Sequence, residues 1–217
     1  MTNHSPVLLS VQPLGTLSWH DAFALQQTHV DALLNTPDTN PTVFLLEHDP
    51  VYTIGRTRDQ TSLREAARLP HPVIEINRGG QGTYHGPGQL VGYPILDLRH
   101  HGKDLHAYLR LLEEALIRTL ADYHIIASRK DGLTGVWVGD RKIASLGVGV
   151  RKWISMHGFA LNVTPRSLPP FQSITPCGID GVAMTCLHHE GNHTPTVPEV
   201  GFKTATHLAS LLGYDLA

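Results

Sequence analysis

The feature that most restricts the fold is the crowding of β-prone segments in the second half of the chain. Residues 125–127, 135–138, 142–150 and 158–163 each read as strands, and the gaps between them are too short for a helix. A parallel pair needs a crossover of a dozen or more residues, so these neighbours must pair in antiparallel or mixed fashion. Further strands are expected at 7–11, as an edge strand, and at 42–46, 51–54, 73–77 and 90–98. Three helices interrupt them. Ser18 and Asp21 have capping spacing before the first, and Asp104 precedes the second, with Leu105, Tyr108, Leu109, Leu112, Leu116, Leu120 and Tyr123 as its apolar stripe. Thr196 with Glu199 opens the third, Pro198 suits its first turn and Gly213 its stop. Residues 37–41 and the proline-rich stretch 164–178 read as loops. The pattern predicts an α/β (α+β) architecture of mixed, largely antiparallel sheets with flanking helices. With 217 residues and no evident linker, residues 1–217 read as a single domain.

Composition removes several classes of function. Apolar residues make up 41% and charged residues 17%, which suits a globular chain. A net charge of -2 gives no basic surplus for nucleic acid. No apolar run approaches the roughly 20 residues needed to span a bilayer. The first residues lack the pattern of a signal peptide, so a cytoplasmic location is expected. Two cysteines, Cys177 and Cys186, make no disulfide framework. No heptad or repeat demands assembly, and a monomer is expected.

Residues 78–89 carry glycines interleaved with Arg78, Thr83, Tyr84, His85 and Gln89. Tight turns alone would need the glycines but not these partners. Glycine with dense polar and aromatic groups suits a substrate-lining loop. The spacing lacks G-x-G-x-x-G, and no G-K-[ST] occurs, so nucleotide-binding loops are not indicated. Ser145 lacks the leading glycine of a nucleophile elbow.

Cys177 lies between Pro176 and Gly178 in a loop. A loop cysteine so framed is balanced between a nucleophile facing a pocket and a small packed hydrophobe. A nucleophilic thiol needs a cation or base to favour its thiolate. Lys142, His85 and His157 are rival partners, and spacing does not choose among them. The series Cys177, Cys186, His189, His193 pairs two histidines at zinc-like spacing, but its cysteines lie too far apart for a zinc knuckle. No metal site is expected, and Cys186 reads as a packing residue.

Taken together, the 78–89 block, Gly135-Val136-Trp137-Val138, Lys142-Ile143-Ala144-Ser145-Leu146-Gly147, the 157–163 segment and Pro176-Cys177-Gly178-Ile179 resemble the lipoyl(octanoyl) transferase family. The resemblance covers nearly the whole chain and implies the fold shared with biotin and lipoate protein ligases. It implies transfer of octanoyl from octanoyl-acyl carrier protein to a lysine of lipoyl domains in 2-oxoacid dehydrogenase E2 subunits and glycine cleavage H protein, with no cofactor. It further implies that Cys177 carries the acyl thioester and that Lys142 lowers its pKa. Arg78, Gly79, Gly80, Gln81, Gly82, Thr83, Tyr84 and His85, with Ala144, Ser145, Leu146, His157, Gly158 and Phe159, would line the substrate site. Basic groups at Arg78, Arg141, Arg151 and Lys152 are the expected dock for acidic partners.

Overall fold

The computed structural model describes residues 7–36, 39–56 and 60–217, so Pro37 and Asp38 of the expected first loop lie outside it. The chain begins with β1 (Leu8–Leu17), α1 (Trp19–Asn35) and β2 (Thr42–His48). Ser18 caps α1 by accepting the Asp21 N–H. The helix is long enough to carry β1 into a parallel pairing with β2. Then come β3 (Val51–Ile54), β4 (Val73–Glu75), β5 (Thr83–His85) and β6 (Gln89–Ile95). After α2 (Leu105–Ala121) follow β7 (Ser128–Lys130), β8 (Leu133–Val138), β9 (Arg141–Arg151) and β10 (Ile154–Asn162). Short β11 (Ala183–Met184) and α3 (Leu187–Glu190) lead to α4 (Val197–Leu212) and β12 (Asp215–Leu216).

The main sheet runs β12-β1-β2-β6-β10-β9-β8-β7, with β11 added beside β9. The expected crowding resolves as antiparallel neighbours from β2 through β6, β10, β9 and β8 to β7. The turn between β9 and β10 uses only Lys152 and Trp153, both at positive φ (50° and 69°) and neither glycine. Alternate residues of β2 face opposite layers. Val43 and Leu45 pack toward α2 and α4 with Leu112, Leu116 and Leu208, while Phe44 and Leu46 pack toward α1 with Ala22 and Val30. Each fully buried side chain of this kind contributes about 1.5–3 kcal/mol relative to exposure. No helix among the described residues is long and apolar enough to cross a membrane.

Three local expectations need correction. The first strand reaches Leu17 and lies between β2 and β12 instead of forming an edge. Its β12 partner covers only Leu8 and Leu9, and a register shift spans Pro13 to Thr16, so Pro13 and Gly15 fall where a ladder bond is not required. Residues 125–127 are not a strand. His124 turns left-handed (φ 61°) and the Ile125 N–H closes back on the Leu120 carbonyl at 3.0 Å, so the end of α2 takes up that backbone and Ile126 is 91% exposed. The glycine stretch is not all loop, because β5 within it pairs antiparallel with β3.

A second sheet, β4-β3-β5, has its own apolar cluster of Tyr52, Ile54, Leu63, Tyr84, Phe171 and Ile174. It carries the segment after β4 across the face of β9. Gly147 and Gly149 make this approach feasible: a Cβ on Gly147 would come 2.9 Å from Arg78 Cδ, and one on Gly149 2.6 Å from the Asn77 carbonyl oxygen.

Candidate active site

Where the glycine segment crosses β9 and β10, a cavity of about 240 Å³ remains. Arg78, Gly80, Gln81, Thr83 and His85 line one side. Lys142, Ser145, Leu146, His157, Gly158 and Phe159 line the sheet side, and Cys177 completes the wall. The remaining four expected lining residues stand behind it. Alternation along β5 turns Tyr84 into the second sheet's apolar cluster while Thr83 and His85 face the cavity. Ala144 is fully buried in the main core. Gly79 pairs its N–H with the Val148 carbonyl at 3.4 Å, and Gly82 is bound through its backbone to the loop that bears Cys177.

Cys177 is half-buried and adopts a left-handed conformation, φ 55° and ψ 21°. Its N–H donates to the Gly82 carbonyl at 2.9 Å. Ser62 ties the same two segments together. Its Oγ accepts the Gly82 N–H at 2.9 Å, and its carbonyl accepts the Thr175 N–H at 2.7 Å. The sulfur lies 3.5 Å from Ser145 Oγ. Ser145 and Lys142 are three apart, a spacing that a regular strand would send to opposite faces. A register shift leaves Ile143 without an opposite residue: Val136 faces Ala144, while Trp137 faces Lys142. This bulge re-aims the strand so that both side chains reach the cavity.

Lys142 is 1% exposed, donates to the Thr134 carbonyl at 3.1 Å, and lies 5.4 Å from the centre of the Trp137 ring. Arg78 is a second cation, also buried. Its guanidinium donates to the carbonyls of Thr53, Gly79 and Gln81 and to the Thr53 hydroxyl. Burial lowers its pKa, and the Cys177 sulfur is the leading group acting against that. Composition gave no hint that a guanidinium would be held so close to the thiol. Burial likewise rules out Arg78 as part of a surface dock, and Arg141 and Arg151 are engaged with Glu190 and Asp31. Cys186 is fully buried, as packing requires.

Two imidazoles are held neutral. His85 donates from Nδ1 to Gln89 Oε1 at 2.8 Å, and Gln89 is oriented by donating to Asn162 Oδ1 at 3.0 Å. Burial pushes the His85 pKa down to about 3, with His48 adding to the effect. Burial, then Arg78, pushes His157 down to about 4. Sequence reading missed Tyr93, a cavity residue on β6 whose hydroxyl donates to His48 Nε2 at 2.7 Å, because it sits inside an otherwise apolar strand.

These shifts set a stability prediction. Above pH 6.5, the ordinary value for histidine, both rings are neutral in folded and unfolded chains. Below it the unfolded chain takes up protons that the fold refuses until about 4 for His157 and about 3 for His85. Stability therefore falls with pH across that window, by up to about 1.4 kcal/mol per unit for each ring. Urea unfolding at pH 7.5 and 5.0 checks this, and the midpoint is expected to drop at the lower pH. Equal midpoints would mean both rings are solvated.

The sequence profile of the lipoyl protein ligase A/B catalytic domain matches residues 18–209. A bi-partite lipoate protein ligase from a Thermoplasma acidophilum lipoylation system has TM-score 0.73 at 17% identity, covering 99% of this chain and 86% of its own. Biotin protein ligase from Aquifex aeolicus has TM-score 0.54 at 16% identity, covering 94% and 68%. The fold is therefore that of the lipoate and biotin protein ligases. At the sequence level, an octanoyltransferase from Geobacter sulfurreducens is 46% identical over 203 residues, 94% of this chain and 84% of that protein. The chain belongs to the lipoyl(octanoyl) transferase family, as an acyltransferase that moves octanoyl groups in protein lipoylation.

Proposed function

We propose that the octanoyl group comes from the thioester of octanoyl-acyl carrier protein, rests on Cys177, and passes to a lysine of a lipoyl domain, in a 2-oxoacid dehydrogenase E2 subunit or glycine cleavage H protein. The observation that supports this most directly is that one cavity collects a half-buried thiol and a buried ammonium, Cys177 and Lys142. The ammonium favours the thiolate by charge.

In the first step the Cys177 sulfur attacks the thioester carbonyl carbon. A new C–S bond forms, the bond to the carrier thiol breaks, and that thiol leaves with a proton available from Lys142. In the second step the neutral amine of the acceptor lysine attacks the same carbon. The amide forms, Cys177 leaves as thiolate, and the amine proton returns to Lys142. Hydrogen-bond donors around the cavity, the Arg78 guanidinium among them, are available to the developing oxyanion. Donor and enzyme thioesters are close in energy and the amide lies downhill, so the cycle needs no ATP. That separates it from the ATP-dependent ligase chemistry the shared fold also supports. The participants are all expected in the cytoplasm.

Intact-mass spectrometry after mixing the protein with octanoyl carrier protein, without ATP, tests the reading. One octanoyl increment on the protein is expected, mapped to the peptide containing Cys177. Absence of an adduct, together with transfer that requires ATP and free acid, would replace the reading by a ligase.

A further inference from the structure

The Lys142 ammonium is buried, yet among the described residues no carboxylate touches it. A carboxylate nevertheless reaches it indirectly. It acts through a single peptide unit. The Thr134 carbonyl accepts from Lys142 Nζ at 3.1 Å, and the N–H of that same peptide, on Gly135, donates to Glu113 Oε1 at 2.9 Å. Glu113 lies on α2 with its side chain wholly buried, and its Oε2 is bound by Arg110 at 2.7 Å and Arg129 at 3.1 Å. A carboxylate at the N–H end and an ammonium at the C=O end polarise the peptide in the same sense, so each hydrogen bond strengthens the other. Residue 135 has φ 141°, and a Cβ there would lie 2.6 Å from Lys142 Cε, so glycine alone lets the peptide and the ammonium meet.

We propose that Glu113, acting through the Thr134–Gly135 peptide, is a positioning residue that keeps the Lys142 ammonium charged and aimed into the cavity. The proposal rests on the reading of Lys142 as partner to Cys177. Other charges surround the pair. Lys130 shares the Trp137 ring with Lys142, at 4.6 Å from its centre, and is paired with Asp140 at 2.7 Å. Arg78, His85, His157 and Cys177 border the same cavity. Around Glu113 stand Arg110 and Arg129, and Glu114 shares Arg129 at 2.9 Å.

Glu113→Gln keeps the size and the acceptor for the Gly135 N–H but removes the charge. Loss of the negative charge, with Arg110 left without its carboxylate and Arg129 held by Glu114 alone, disfavours the ammonium. The alkaline limb of the kcat/KM profile should move down by roughly one pH unit, about a tenfold loss along that limb, with KM little changed. A second readout does not need activity. In proton–nitrogen spectra of lysine-labelled protein, the Lys142 ammonium signal, assigned by Lys142→Arg, should vanish at lower pH in Glu113→Gln than in the parent, while the Lys130 signal stays put. A Lys142 signal that does not move overturns the relay, even where transfer is normal. A signal that moves in a protein forming no acyl adduct leaves the relay standing and sinks the functional reading. Should the single variant not fold, Glu113→Gln with Arg129→Gln, which removes one charge of each sign, must still displace the Lys142 signal downward, by less than the single variant would, and an unmoved signal there overturns the relay equally.

Discussion

With Cys177 replaced by serine, octanoyl transfer falls by about 10⁴-fold or more, and no octanoyl increment appears in the intact mass. The substitution is nearly isosteric and leaves the N–H bond to the Gly82 carbonyl untouched, so the loop keeps its shape. What changes is the acid strength of the attacking group. A hydroxyl gains far less from a neighbouring ammonium than a thiol does, because almost none of it ionises at neutral pH. Ser145 offers no rescue. Its hydroxyl lies 3.5 Å from the sulfur position, and the neighbouring imidazoles are too weakly basic to activate it, with His85 near 3 and His157 near 4. A serine variant that still transferred octanoyl at a comparable rate, with an unchanged circular dichroism spectrum, would remove Cys177 from the reaction.

The second large effect concerns the ammonium. Lys142→Met preserves most of the buried volume and deletes the charge, which separates packing from electrostatics. Without the cation the thiolate is disfavoured, so a higher pH is needed to form it, and the acid limb of the kcat/KM profile moves upward. The rate at neutral pH should fall by about 10²- to 10⁴-fold, within the usual range for a positioned acid–base group. Iodoacetamide labelling of Cys177 across pH should move in the same direction. An unmoved acid limb would transfer the role to Arg78, the other buried cation coupled to the sulfur.

Much of this arrangement was legible in the sequence, for reasons that differ between parts. The helix starts at Ser18, Asp104 and Thr196 were readable because a capping side chain and its target lie within three residues. The pairing of β9 with β10 followed from the short gap between them. Cys177 and Lys142 were recognisable only through the resemblance, because neither residue is unusual in its local context. The bulge at Ile143, which lets Lys142 and Ser145 share a face, has no local marker and arises from pairing with β8. Tyr84 turns away from the cavity because the block that reads as one loop contains a strand, and a strand sends neighbours to opposite sides. Glu113 escaped notice altogether. On the helix it is one acidic residue in an ordinary run, and its importance depends on a glycine 22 positions later in the chain.

The serine at position 62 has a consequence for how such chains are compared. It belongs to none of the recognisable blocks, yet one hydroxyl and one carbonyl of this residue lash the proline-rich segment to the glycine-rich one. The Cys177 sulfur is thus anchored more than a hundred residues upstream of itself in the chain. A relative retaining every signature block but lacking that anchor would pass motif inspection while its sulfur wandered from the mouth it is meant to guard.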